Sequence, residues 1–184
     1  MKNPTASQSK HIKARILVFT GEGKGKTTAA MGMVLRAAGH GMRTRILQFL
    51  KAADKTGELS ACKAFPHVEI QQVGKGFVPR PAHPQFPCHK AAAEHGLTLA
   101  TEAVQSGQYE LIVLDEICTA VQLQLLTETD VIDLLKRAAP NLIIAITGRG
   151  ATPAILEQAD TATEMRCIKH GMDTGHKAQK GCEY

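Results

Sequence analysis

Short apolar runs alternate with longer mixed segments along most of this chain. "RILVFT" (Arg15 to Thr20) is nearly continuous in apolar residues, as a strand buried on both faces would be. An Ala- and Met-rich stretch follows, and its spacing predicts a helix from Thr27 to Ala38, ended by Gly39 and Gly41. "RTRILQF" (Arg43 to Phe49) and "HVEIQQV" (His67 to Val73) read as the second and third strands. Gly74 to Cys88, crowded with Gly and Pro, reads as loop, and His89 to Gln105 as a helix. "YELIVLDE" is a strongly apolar strand that ends in two acids. Thr129 to Ala138 predicts a helix capped by Thr129, with Asp130 in its first turn. "NLIIAITGRG" runs from a fifth strand into a Gly-rich turn, and Pro153 to Ala159 is a short helix with Pro at its start. "TATEMRCI" reads as a last strand, before a polar tail from Lys169 to Tyr184.

Apolar strands separated by helices predict an α/β fold, with a mainly parallel sheet covered by helices on both faces. The 184 residues suit one domain over residues 15–184, preceded by a basic, flexible arm over residues 1–14. That arm lacks the apolar centre of a secretory signal, and no apolar run reaches the roughly 20 residues of a membrane helix. Five scattered cysteines without a CxxC pair suit reduced thiols in a cytoplasm. The net charge of +5 fits a partner such as a polyanionic nucleotide. Two Tyr, five Phe and no Trp leave little for stacking bases, which argues against nucleic acid.

Chemistry enters with "TGEGKGKT", Thr20 to Thr27, between the first strand and the first helix. The phosphate-loop pattern is G-x-x-x-x-G-K-[ST], and Thr20 stands where its first glycine would be. Gly21, Gly23 and Gly25 let successive backbone N–H groups turn towards an anion, and the helix adds its positive end. Lys26 is placed to neutralise outer phosphate charge, and Thr27 to put a hydroxyl on a bound Mg²⁺. Asp115 and Glu116, ending an apolar strand, are the matching acids. One holds the metal, and the other acts as base or second anchor, as in RecA-like ATPases.

Arg149, in "ITGRG", falls at the same sheet edge if the strands are parallel, where a cation meets phosphate. His83, Cys88, His89 and His95 invite a metal reading, but their spacings match no paired-ligand pattern.

"TGEGKGKTTAAMGMVLRAAGHG", "YELIVLDEI", "LIIAITGRGATPAILEQADTATEMRCIKH" and "DTGHKAQKGCEY" together resemble the ATP:corrinoid adenosyltransferases of the CobA/CobO/BtuR type, collinearly from Arg15 to Tyr184. The resemblance implies a RecA-like P-loop fold and a homodimer that uses Mg²⁺ or Mn²⁺. It also implies an electron-donating reductase, such as a flavoprotein, as partner. Its implied reaction is attack of corrinoid Co(I) on the 5′-carbon of ATP, with triphosphate leaving, in adenosylcobalamin biosynthesis or salvage. By motif position, Thr20, Gly21, Glu22, Gly23, Lys24, Gly25, Lys26, Thr27 and Thr28 contact the triphosphate. Thr27, Asp115 and Glu116 lie near the metal, and Lys26, Glu116 and Arg149 carry catalysis. Glu164, Arg166, Lys169 and His170 fall in motifs near the active edge, either as ligand contacts or as structural ion-pair partners.

The corrin ring needs a broad apolar surface, for which Phe77 and Phe86 in the long loop are the candidates. The same phenylalanines would also serve to plug the core beneath that loop. Family members resemble "GFTW" here, whereas this chain reads "GFVPR" from Gly76 to Arg80. In the family the tryptophan helps remove the lower axial ligand of cobalamin. Its replacement by Pro79 leaves three readings: Phe77 acts alone, the acceptor lacks the bulky lower base, or the activity is altered. Two other functions stay open: a RecA-like ATPase releasing phosphate, and a corrinoid and nucleotide carrier without catalysis.

Overall fold

The computed structural model describes residues 13–52 and 56–182. Most of the expected N-terminal arm therefore lies outside the described residues. Six strands form one sheet: β1 (Arg15–Thr20), β2 (Thr44–Gln48), β3 (Val68–Gln72), β4 (Leu111–Asp115), β5 (Ile143–Thr147) and β6 (Thr161–Glu164). Their order is β3-β2-β4-β5-β1-β6, and every pairing is parallel. The α/β expectation holds. With β5 between the loop strand β1 and the acid-bearing strand β4, the order is compatible with a RecA-like arrangement.

Alternation along the strands splits the core in two. Leu111, Val113, Ile46 and Ala145 point to one face, where they meet Ala30, Val34 and Ala37 of α1 (Lys26–Gly39) and Cys62 of α2 (Gly57–Cys62). These α1 residues recur at helical spacing, and their small size lets the helix lie close to the sheet. Ile112, Leu114, Leu47, Ile144 and Ile146 point to the other face. There they pack on α3 (Phe86–Gln105), α4 (Ile117–Gln122), α5 (Glu128–Lys136) and α6 (Pro153–Glu157). Truncating any one of these buried isoleucines or leucines to Ala is worth about 2–5 kcal/mol.

Several boundaries differ from the sequence reading. Helix α3 begins at Phe86, inside the segment expected to be loop, because Pro87 is tolerated in a first helical turn that needs no N–H donor. Helix α5 is capped by Thr127, not Thr129. The Thr127 hydroxyl accepts from the Asp130 amide (3.2 Å), and the Asp130 carboxylate accepts from the Thr127 amide (2.9 Å). An acid at the third helical position closes this box only with the residue three before it. Helices α2 and α4 went unforeseen, since six residues carry too little periodicity. Strand β6 stops at Glu164 because the chain then turns across the glycine loop. Among the described residues no helix is long and apolar enough to cross a membrane.

Candidate active site

All six parallel strands direct their carboxyl ends to one edge, where the loop Gly21 to Gly25 leaves β1 and enters α1. Gly21 has φ of +95°, and a Cβ there would lie 2.5 Å from the Met165 carbonyl oxygen. A Cβ on Gly23 would lie 2.6 Å from the Arg166 carbonyl oxygen. The loop is thus pressed against the backbone that follows β6, and only glycine fits at either position. The Gly23 amide donates to Met165 O (2.6 Å), and the Met165 amide donates to Thr20 O (2.8 Å). Thr20, in place of the usual glycine, uses its hydroxyl to accept from the Ala151 amide (3.3 Å), tying the loop to the turn after β5.

Lys26 opens α1 and is only 7% exposed. Its ammonium donates to Gly21 O (2.7 Å) and Gly23 O (2.8 Å), so it braces the loop from within. Burial lowers its pKa from the ordinary lysine value; Glu116 and Glu22 oppose that shift, and Arg149 adds to it. Thr27 donates its hydroxyl proton to Asp115 Oδ1 (2.8 Å) and keeps its oxygen lone pairs. Asp115 is fully buried and collects further donors: Thr147 Oγ1 at 2.9 Å and Gln48 Nε2 at 3.0 Å.

Glu116 holds a left-handed conformation (φ 63°), which costs of order 1–3 kcal/mol in a non-glycine residue and aims it away from the strand. Its amide donates to Thr147 Oγ1 (2.9 Å), and its carboxylate accepts from Thr119 Oγ1. Thr119 Oγ1 also accepts from the Arg149 amide (2.9 Å), linking the acid to the arginine turn. The Arg149 guanidinium lies 3.4 Å from Glu22, but both side chains are more than half exposed, so this pair contributes little.

Two clefts meet here. One, of about 480 Å³, is lined by Lys24 to Thr28, Lys51, Glu58 and Glu116, with Gly181 and Cys182 of the tail at its rim. The other, of about 880 Å³, carries Leu50, Phe77, Val78, Leu123 and Arg149. Lys26, Lys51 and Glu116 line both.

The two phenylalanines part company. Phe77 is 95% exposed on the second cleft. Phe86 sits in the first turn of α3 and packs against the larger core, so the plugging role applies to it. Glu164 ends β6 beside Thr20, opposite Gly21. Arg166, Lys169 and His170 line a third cleft with Lys24, whose ammonium donates to Cys182 O (2.7 Å). His170 has a local task as well, its Nδ1 accepting from the Met172 amide (3.2 Å).

Among the described residues no three His, Cys, Asp or Glu converge as a metal cluster, His83, Cys88, His89 and His95 included. A hard cation suits the hydroxyl and carboxyl oxygens of Thr27, Asp115 and Glu116 only if a nucleotide's phosphates supply the remaining donors, as is usual for Mg²⁺. Sequence reasoning missed Gln48, Lys51, Glu58, Thr119 and Thr147. Their one signal is position: each lies at or just beyond the carboxyl end of a strand, or in a short helix beside it.

Fold and site together define an α/β protein with a glycine-rich loop and a buried aspartate at the carboxyl edge of a parallel sheet. The family model described as ATP:corrinoid adenosyltransferase BtuR/CobO/CobP matches residues 13–184, and the chain belongs to that family. It is 38% identical over 180 residues to a corrinoid adenosyltransferase of Pseudomonas aeruginosa, covering 97% of this chain and 87% of that one. Corrinoid adenosyltransferase CobA of Salmonella typhimurium is 36% identical over 181 residues (97% and 89% covered). A corrinoid adenosyltransferase of Escherichia coli K12 is 36% identical over 179 residues (97% and 89%).

Proposed function

We propose that this protein transfers the 5′-deoxyadenosyl group of ATP to the Co(I) of a corrinoid, releasing triphosphate, in cobalamin biosynthesis. The observation that carries the reading is the pair of abutting clefts. One is rich in cations and backbone donors, the other broad and apolar, and they share the residues at their junction. In the transfer, two electrons on Co(I) form the cobalt–carbon bond. The C5′–O bond breaks with its electron pair on oxygen, so cobalt becomes formally Co(III) and triphosphate departs with one more negative charge.

No protein nucleophile is needed, and the chain's work is alignment and stabilisation of that growing charge. Backbone N–H groups of Gly21 to Thr28, with Lys24 and Lys26, take the triphosphate. Thr27, Asp115 and Glu116 would hold Mg²⁺ or Mn²⁺, which would further neutralise the phosphates. Arg149, at the rim of the apolar cleft, serves as a further cation, and Phe77 offers a face to the corrin ring. Glu164, Arg166, Lys169 and His170 complete the nucleotide side, and Phe86 supports the region through the core. The protein acts as a homodimer in a reducing cytoplasm, with a separate reductase supplying the electron.

The test is anaerobic incubation with ATP, Mg²⁺ and chemically reduced cobalamin, following the corrinoid spectrum and the phosphate product. Adenosylcobalamin with matching triphosphate supports transfer. Orthophosphate with no corrinoid change marks an ATPase. If cobalamin and precursors without the lower base all stay unchanged while binding, the protein is a carrier.

A further inference from the structure

The bond that breaks in this reaction joins the nucleoside to the phosphate chain, so the new charge appears at the junction of the two clefts. Three side chains line both: Lys26, Lys51 and Glu116. Glu116 is an acid, and the Lys26 ammonium is turned into its own loop on Gly21 O and Gly23 O. Lys51 differs from both. It follows β2 by three residues, and its side chain is 31% exposed. Its ammonium is paired with the Glu58 carboxylate and lies 3.8 Å from Asp115 Oδ2.

This anchoring runs through the sheet edge. Glu58 also accepts from Gln48 Nε2 (3.3 Å), and the same amide nitrogen donates to Asp115 Oδ2 (3.0 Å). Gln72 Nε2 in turn donates to Gln48 Oε1 (3.1 Å). Burial pushes the Glu58 carboxyl up, but the hydrogen bonds and charge of Lys51, with a backbone bond and Gln48, outweigh it and hold the group below its ordinary value. Glu58 is thereby kept as an anion beside Lys51. Side chains from three adjacent strands, β2, β3 and β4, and from the first turn of α2 together hold one lysine at a fixed place. An ammonium held this way keeps its direction while its counter-charge stays near, and a growing phosphate charge can draw it over without a large reorganisation.

Resting on the transfer reading above, we propose that Lys51 is a further catalytic residue, contacting the α-phosphate and the oxygen released from C5′, and that Glu58 is its positioning residue. Because the charge exists only once the bond breaks, Lys51 acts on turnover more than on ATP binding.

The assay uses the full chain, Mg²⁺, ATP and chemically reduced cobalamin, comparing wild type with K51Q, K51R and E58Q. In K51Q, kcat falls on the order of 10²-fold while KM for ATP stays within about threefold, the pattern of an interaction made only in the transition state. Inhibition by inorganic tripolyphosphate, which carries the extra charge, weakens at least roughly tenfold, a change that a merely structural lysine would not produce. K51R regains part of kcat. E58Q, which keeps the lysine but releases it, lowers kcat by less, with KM unchanged. A K51Q kcat within about threefold of wild type, or a loss confined to KM, overturns the proposal. So does a K51R no better than K51Q, and an unchanged kcat in E58Q overturns the positioning role. A wild type that makes no adenosylated corrinoid takes down the transfer reading and this proposal together, whereas an active wild type beside an equally active K51Q removes this proposal alone.

Discussion

Replacing Lys26 by Met separates what this lysine does for the loop from what it does for the ligand. In the ligand-free protein the ammonium makes two short bonds, to Gly21 O (2.7 Å) and Gly23 O (2.8 Å). Hydrogen bonds to a charged group are worth about 1.5–3 kcal/mol each, so on contacts alone the loss is roughly 3–6 kcal/mol. Against this stands desolvation of a residue only 7% exposed, a penalty of several kcal/mol for a buried ion. The two contributions are of similar size, and the lowered pKa of Lys26, caused first by burial, marks the desolvation side of that balance. A methionine of similar length fills the space without that penalty.

K26M is therefore expected to leave the ligand-free thermal midpoint unchanged or slightly raised. At about 2–4 °C per kcal/mol for a chain of this size, two uncompensated bonds would instead lower it by roughly 6–24 °C. Adenosyl transfer in the same variant falls at least about 10²-fold, since a cation facing triphosphate is removed. Calorimetry without ligand and the anaerobic corrinoid assay make the two measurements. A midpoint many degrees lower would show that the lysine is chiefly a structural brace, and near-normal turnover would refute its phosphate role.

Gly23→Ala tests the contact between the loop and the backbone that follows β6. Its methyl would sit 2.6 Å from Arg166 O, on backbone that cannot swing aside, and overpacking of this kind costs about 1–3 kcal/mol. The ligand-free midpoint should drop by roughly 2–12 °C, and an unchanged midpoint would mean that the contact does not hold the loop. Alkylation with iodoacetamide at pH 8 should label Cys88, Cys167 and Cys182, which are exposed, and spare Cys62 and Cys118 until the protein unfolds. Burial pushes the Cys118 thiol up to about 12, aided by the charge of Glu116, and raises that of Cys62 as well. Mass spectrometry that finds Cys118 modified as fast as Cys182 would contradict the packing of α4.

The strand, the glycine loop and the helix with Lys26 and Thr27 were legible in the sequence because each is a local matter. Apolar period, glycine spacing and helix start are all written within a few residues of one another. The same holds for Asp115 and Glu116 at the end of an apolar run, and for the alternation that made the sheet parallel. Tertiary structure alone decided the rest. Gln48, Lys51 and Glu58 carry no motif; Gln48 and Lys51 meet Asp115, and Glu58 meets both of them, only because parallel pairing brings the ends of the strands to one edge. Phe77 and Phe86 look alike in a Pro-rich segment, yet one lies on a cleft and the other belongs to a helix packed on the core. The glycines at 21 and 23 suggested phosphate from the sequence, while the fold shows a second reason for them in the backbone of Met165 and Arg166. A chain records its local preferences position by position, but which distant side chains share a site follows from strand order, and strand order is settled by burial of the whole sheet.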